Sequence, residues 1–179
     1  MKNDIQEVLY SEEALSLKVK EIGAKISSDY EGKELLIVGI LKGSVVFASD
    51  LVRAVKIPCE LDFMSVSSYG ASAKSSGIVR ILKDLDSNIE GKHVLIVEDI
   101  VDTGTTLSYL LEYLKARKAA SIEIVALLNK ETGRKVEVEV KYSGFEVPDE
   151  FIVGYGIDYA EHYRNLPFIG ILKREIYQK

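Results

Sequence analysis

Residues 93–107 read HVLIVEDIVDTGTTL. The run Val94-Leu95-Ile96-Val97 has the length and branching of a strand buried on both faces. Glu98 and Asp99 follow it, then Asp102-Thr103-Gly104-Thr105-Thr106, then an apolar helical pattern that starts at Leu107. Strand, turn and helix in that order predict an α/β protein, with a mainly parallel central sheet and helices on both faces. Ligands in open sheets of that kind bind beyond the carboxyl ends of the strands. The junction between Val97 and Leu107 is therefore the first place to look for chemistry.

Each part of the junction has a use. Thr103, Thr105 and Thr106 offer hydroxyl donors, and Gly104 has no side chain to keep a ligand off the backbone. The turn opens a helix whose first N–H groups lack intrahelical acceptors and carry the positive end of the dipole, a ready phosphate site. Glu98 and Asp99 suit sugar hydroxyls rather than phosphate. Phosphate at the turn and a sugar at the acids together suggest a ribose 5-phosphate group. The plainer alternative makes Asp102 an N-cap and the threonines ordinary helix starters. It leaves unexplained why a buried strand should end in two acids.

Working outward, residues 35–40, LLIVGI, form a second buried-strand run. It ends in Leu41-Lys42-Gly43-Ser44 and enters a helical pattern, Val46-Phe47 then Leu51-Val52-Val55, so the strand–turn–helix unit recurs. Lys42 is either a second anion contact or an exposed loop lysine. Upstream, Ser11 caps a scaffold helix that runs to about residue 29, with Glu12 and Glu13 in its first turn. Leu15, Val19, Ile22 and Ile26 share its buried face. After Pro58, Glu60 and Asp62 alternate with Leu61 and Phe63, the mark of a half-exposed strand. Residues 67–77, SSYGASAKSSG, are small, polar and without periodicity, fitting either a plain connection or a lid that excludes water. Residues 78–82 form the return strand and residues 86–91 a turn. His93 starts the central strand at the end away from the site and is structural.

Beyond the central helix, residues 122–128 give a strand ending in Asn129-Lys130, which brings Lys130 to the edge that carries the acids. Residues 136–142 alternate in the manner of a strand, with Val136, Val138 and Val140 on one face. Then comes PDEFIVGYGIDY, residues 148–159. Phe151 alone reads as core, and Asp158, just past Gly156, should reach the sheet edge. Residues 168–172 are a final short strand.

Composition narrows the class. A chain of 179 residues, 47% of them hydrophobic, suits one domain with a full core, here taken as 1–179. No apolar run approaches the roughly 20 residues that span a bilayer, and the first residues, MKNDIQEVLYSEE, lack a signal-peptide core. The one cysteine, Cys59, fits a reducing cytoplasm and a small buried hydrophobe. With 23 basic and 28 acidic residues, the net charge of −5 argues against a general nucleic-acid binder.

Residues 94–106 resemble the phosphoribosyl-pyrophosphate (PRPP) motif of type I phosphoribosyltransferases. The Leu41-Lys42-Gly43-Ser44 turn, the Asp149-Glu150-Phe151-Ile152-Val153-Gly154-Tyr155 segment and Asp158-Tyr159 with Arg164 are similar to the hypoxanthine-guanine branch. The likeness covers residues 35–164, and it implies a hood lobe built from the terminal segments that forms the base pocket. It implies that Glu98 and Asp99 hold the ribose, that Thr103, Gly104, Thr105 and Thr106 hold the 5-phosphate, and that Asp102 is the general base. Lys42, Gly43 and Arg164 would take pyrophosphate, and the Leu41–Lys42 bond can be cis in relatives. Some relatives carry a second glycine where Ser44 stands, and serine still supplies an N–H. Lys130 would contact the exocyclic oxygen of a 6-oxopurine, Phe151 stack on the ring and backbone around Ile152 read its edge. Ser68 and Tyr69 would belong to the lid, Arg134 would lie near the phosphate region, and Asp158, with Glu98 and Asp99, would bind Mg2+. Family members are commonly dimers or tetramers. Two other readings stay open: a regulator of the same fold that acts on RNA, and an enzyme for uracil, orotate or adenine.

Overall fold

In the computed structural model, which describes residues 1–68 and 79–178, two strand–turn–helix units lie side by side. β2 (Leu35–Leu41) leads into α2 (Val45–Ala54), and β5 (His93–Val101) leads into α3 (Thr105–Lys115). With β3 (Cys59–Ser68), β4 (Val79–Lys83), β6 (Ser121–Asn129) and β7 (Tyr142–Glu146), they make a six-stranded sheet in the order β4-β3-β2-β5-β6-β7. All neighbours are parallel except β3 and β4.

Alternation along each strand decides what lies on either face. Leu35, Ile37, Leu95, Val97, Val125 and Leu127 pack with α2 and with α1 (Glu12–Asp29). Leu36, Val38, Val94, Ile96, Ile124 and Ala126 pack with Leu107, Leu110 and Leu114 of α3. The apolar runs are continuous because helices cover both faces. α1 begins where the sequence predicts: Ser11 Oγ accepts from Ala14 N at 3.2 Å, and Leu15, Val19, Ile22 and Ile26 are buried. Ser11→Ala should lower unfolding stability by about 1 kcal/mol in urea melts, with unchanged turnover.

A second sheet joins the two ends of the chain. β1 (Ile5–Tyr10), β9 (Ile169–Leu172) and β8 (Ile152–Val153) lie in the order β1-β9-β8. α4 (Arg174–Tyr177) follows, and Val153, Leu166 and Leu172 form a small core there.

Three local expectations need correction. The alternation at residues 60–63 does mark a strand, but Asp62 is the buried residue, at 8% exposure against 42% for Leu61. Its carboxylate accepts from Phe63 N, Asp86 N and Lys83 Nζ, so burial leaves it satisfied. Residues 136–140 are not a strand, and β7 begins only at Tyr142. The N–H groups of Lys135 and Val136 donate to Thr103 O instead, at 2.9 and 3.0 Å, tying that segment beneath the central turn. Finally, α3 starts at Thr105, earlier than Leu107 suggested.

The strand order runs outward in opposite directions from β2 and β5. The carboxyl ends of those adjacent strands are the switch point where open α/β sheets form a crevice, and they carry Lys42-Gly43 and Glu98-Asp99.

Candidate active site

Glu98 and Asp99 belong to β5 itself rather than to a loop after it. Glu98 is 9% exposed. Burial pushes its carboxyl well up, and the charge of Asp99 adds to the effect. Burial also raises Asp99, against the opposing pull of the Ile100 N–H, 2.7 Å from Oδ1, and the Arg164 charge. Such a pair calls for outside positive charge or hydroxyl donors.

Beyond the acids the chain turns sharply. Gly104 has φ +80° and is the N-cap of α3, with no side-chain cap bond. Asp102 is therefore not the cap, and its exposed carboxylate faces other partners. Thr103, Thr105 and Thr106 are half-buried around the helix start, with Thr103 Oγ1 donating to Thr105 Oγ1 at 3.3 Å. Gly104 is also required by packing, because a methyl there would run into Val136 O. Arg134 braces the same turn from below. It donates from Nε to Asp102 O at 2.8 Å and from Nη2 to Asn129 Oδ1 at 2.7 Å. Its engagement with the chain's own carbonyls makes it a support of the turn.

The second turn closes on the first. The Leu41–Lys42 peptide is cis. A methyl on Gly43 would overlap Asp99 Oδ2, and one on Gly156 would overlap Gly43 O. Only backbone fits at either place. Ser44 is fully buried, and both its Oγ and its N–H bond to Ile40 O, at 2.7 and 3.3 Å, so the N–H expected for a ligand is engaged inside the turn. Arg164 Nη1 donates to Gly156 O at 2.8 Å, Nη2 lies 2.9 Å from Asp158 Oδ1, and Nε is buried with no partner among the described residues. Glu161, which the sequence reading passed over, pairs with Lys42 at 2.9 Å and Arg164 at 3.5 Å.

Asp158 is thus tied to Arg164, and no group of three His, Cys, Asp or Glu side chains converges on a metal-sized site among the described residues. A fully protein-built cage is absent there, but hard oxygen donors are present. Mg2+ commonly takes one or two carboxylates and completes its octahedron with water and substrate oxygens. The buried Glu98-Asp99 pair, both carboxyls raised by burial and Glu98 further by the charge of Asp99, offers oxygen donors that fit an ion of that kind.

Lys130 follows β6 and reaches the same edge. Its ammonium is 2.6 Å from Asp149 Oδ1 and 4.0 Å from Asp102 Oδ1. The bond to Asp149 outweighs partial burial and holds the ammonium above its ordinary range, so it stays a donor. Asp149 is a second contact that the sequence reading left without a role. Lys130, Asp149, Phe151 and Tyr177 line one cavity of about 370 Å³. Phe151 is not core: it is 38% exposed, stacked on Tyr177 at 4.8 Å, with Tyr159 edge-on at 5.3 Å. Tyr177 gave no sequence signal, since it sits in a terminal segment without periodicity. β8 is the edge of its sheet. Leu172 N donates to Phe151 O at 2.8 Å, so alternation along the strand turns the N–H and C=O of Ile152 toward the open edge. The lid expectation falls partly outside the described residues: Tyr69 lies beyond them, and Ser68 is described only as the end of β3, paired with Val79.

The family model described as "Phosphoribosyl transferase domain" matches residues 6–160. The hypoxanthine-guanine phosphoribosyltransferase of Bacillus subtilis is 54% identical over 178 residues, which cover 99% of either chain. The bifunctional protein TilS/HprT of Listeria monocytogenes is 55% identical over all 179 residues, and the chain spans 28% of that protein's length. The crystal structure of a hypoxanthine phosphoribosyltransferase from Staphylococcus aureus superposes with a TM-score of 0.97 at 54% identity, covering 100% of this chain and 97% of that one.

Proposed function

The chain belongs to the phosphoribosyltransferase family, among the hypoxanthine-guanine enzymes, and from that premise we propose that it transfers 5-phosphoribose from PRPP to N9 of hypoxanthine or guanine. The products are the nucleoside monophosphate and pyrophosphate. The observation that carries the reading is the meeting, at one switch point, of a buried acid pair, a helix-opening threonine turn and a cationic second turn.

The reaction sets three tasks. The leaving group is highly charged, the anomeric carbon becomes cationic, and the incoming purine loses a proton. Glu98 and Asp99 accept from the ribose hydroxyls, and their negative field suits a cationic sugar. The N–H groups and hydroxyls of Thr103, Gly104, Thr105 and Thr106 hold the 5-phosphate, so remote binding energy orients the reacting carbon. Lys42, Arg164 and the Gly43 backbone take pyrophosphate. Asp102 accepts the purine proton at N7. Lys130 donates to the exocyclic oxygen, which an amino group in the same place could not accept. Phe151 offers a face to the ring and Ile152 its outward backbone groups. Ser68 and Tyr69 belong to the segment that excludes water. Asp158 and the Glu98-Asp99 pair would hold Mg2+, directly or through water, and the ion's chemistry is to neutralise charge on pyrophosphate.

Residues 1–179 act as one such domain in a cytoplasmic enzyme that assembles as a dimer or tetramer, with neither nucleic acid nor membrane as partner. No helix among the described residues is long and apolar enough to cross a membrane, and the net charge is −5.

The test is steady-state pyrophosphate release with PRPP, Mg2+ and hypoxanthine, guanine, xanthine or adenine in turn. Release with hypoxanthine or guanine and none with adenine is expected. Silence with all 6-oxopurines, or equal use of adenine, would refute the reading. Lys130→Met should lower kcat/KM for hypoxanthine by about 10- to 100-fold, the range of a hydrogen bond from a charged donor, with the KM for PRPP unmoved.

A further inference from the structure

Neither cation assigned to pyrophosphate stands alone. Glu161 spans them, with Oε2 at 2.9 Å from Lys42 Nζ and Oε1 at 3.5 Å from Arg164 Nη2. Lys42 follows β2 of the large sheet, and Arg164 and Glu161 follow the hood strand β8, so the bridge joins two separate parts of the fold.

The backbone is shaped to make this bridge. Tyr159 N and His162 O lie 3.1 Å apart, His162 N and Tyr159 O 3.0 Å, and between them Ala160 and Glu161 have φ of +50° and +65°. Positive φ at both central residues is the geometry that Asn and Gly adopt readily and that Ala and Glu resist. The Glu161 N–H donates to Asp158 Oδ2 at 2.8 Å, while Asp158 Oδ1 takes Arg164. Two carboxylate oxygens on two cations repeat what two phosphoryl oxygens of pyrophosphate would do. The side chains of Lys42 and Glu161 are 66% and 65% exposed, so their pair opens readily.

We propose that Glu161 is the exchangeable counter-ion of the pyrophosphate subsite. It positions Lys42 and Arg164 while the subsite is empty, yields them to the diphosphate, and reclaims them as pyrophosphate leaves. It is a positioning residue, not a catalytic one. The inference rests on the assignment of Lys42 and Arg164 to pyrophosphate.

The experiment is calorimetric titration of the full chain with pyrophosphate in Mg2+, and separately with GMP, for the natural protein, Glu161→Gln, Glu161→Asp and Lys42→Ala. Removal of the competing charge should tighten pyrophosphate by about two- to fivefold in Glu161→Gln, the scale of exposed ion pairs. GMP affinity should be unchanged, and Glu161→Asp should return toward the natural value. A merely structural role would not tighten one ligand alone. Unchanged or weaker pyrophosphate binding in Glu161→Gln, with Lys42→Ala weakened, would overturn the counter-ion role and leave the subsite standing. Unchanged binding in Lys42→Ala would overturn the subsite assignment and this inference with it.

Discussion

Asp102→Asn should lower kcat by about 10²–10⁴-fold, the usual contribution of a general base, while the KM for PRPP stays near its natural value. The substitution is close to isosteric and removes the negative charge together with the ability to accept a proton. The surroundings keep the turn in place without that charge. Arg134 Nε holds the Asp102 carbonyl, not its side chain, and the N–H groups of Lys135 and Val136 hold Thr103 O. Lys130 keeps its nearer partner, Asp149, at 2.6 Å. A loss confined to kcat identifies an interaction made in the transition state. Equal turnover in the two proteins would remove Asp102 from proton transfer, and a parallel rise in KM would make it a turn-forming residue instead.

Gly43→Ala should lower kcat/KM for PRPP by about 10²-fold, the loss expected from misplacing reacting groups by an ångström. The new methyl overlaps Asp99 Oδ2. Relief comes either from rotation of Asp99, which abandons the ribose hydroxyls, or from withdrawal of the turn, which carries Lys42 away. Gly156 limits the second route, because its Cα hydrogen side already faces Gly43 O. Thermal unfolding should shift little beside this kinetic loss, since the turn lies at the sheet edge. Kinetics like those of the natural protein would mean that Gly43 and Asp99 do not face each other at close range in the working enzyme.

Much of this arrangement could be read from the chain. The central run is apolar at every position because helices cover both sheet faces, so Val94-Leu95-Ile96-Val97 announced a parallel strand, and the acids after it announced the crevice. Lys130 follows β6 as the same rule expects, whereas Asp158 lies beyond a strand, β8, that already ends at Val153. Periodicity says nothing about contacts made after a strand has ended, so Glu161, Asp149 and Tyr177 gave no signal. Each meets a partner that is not its neighbour in sequence: Lys42, Lys130 and Phe151 respectively. Alternation also misled at residues 136–140, where Val138 and Val140 do reach the core while the neighbouring N–H groups of Lys135 and Val136 serve Thr103 rather than a ladder. At Gly104 the residue type was informative, and the fold adds a packing reason that the sequence could not give, the close approach of Val136 O.

The most direct measurement is a crystal structure of the chain with GMP and Mg2+ bound. The 5-phosphate should lie on the N–H groups of residues 103–106 at the start of α3, the ribose hydroxyls on Glu98 and Asp99, and the guanine between Lys130 and Phe151. A nucleotide bound elsewhere, with its phosphate away from Thr105 and its sugar away from Asp99, would contradict the account at its root.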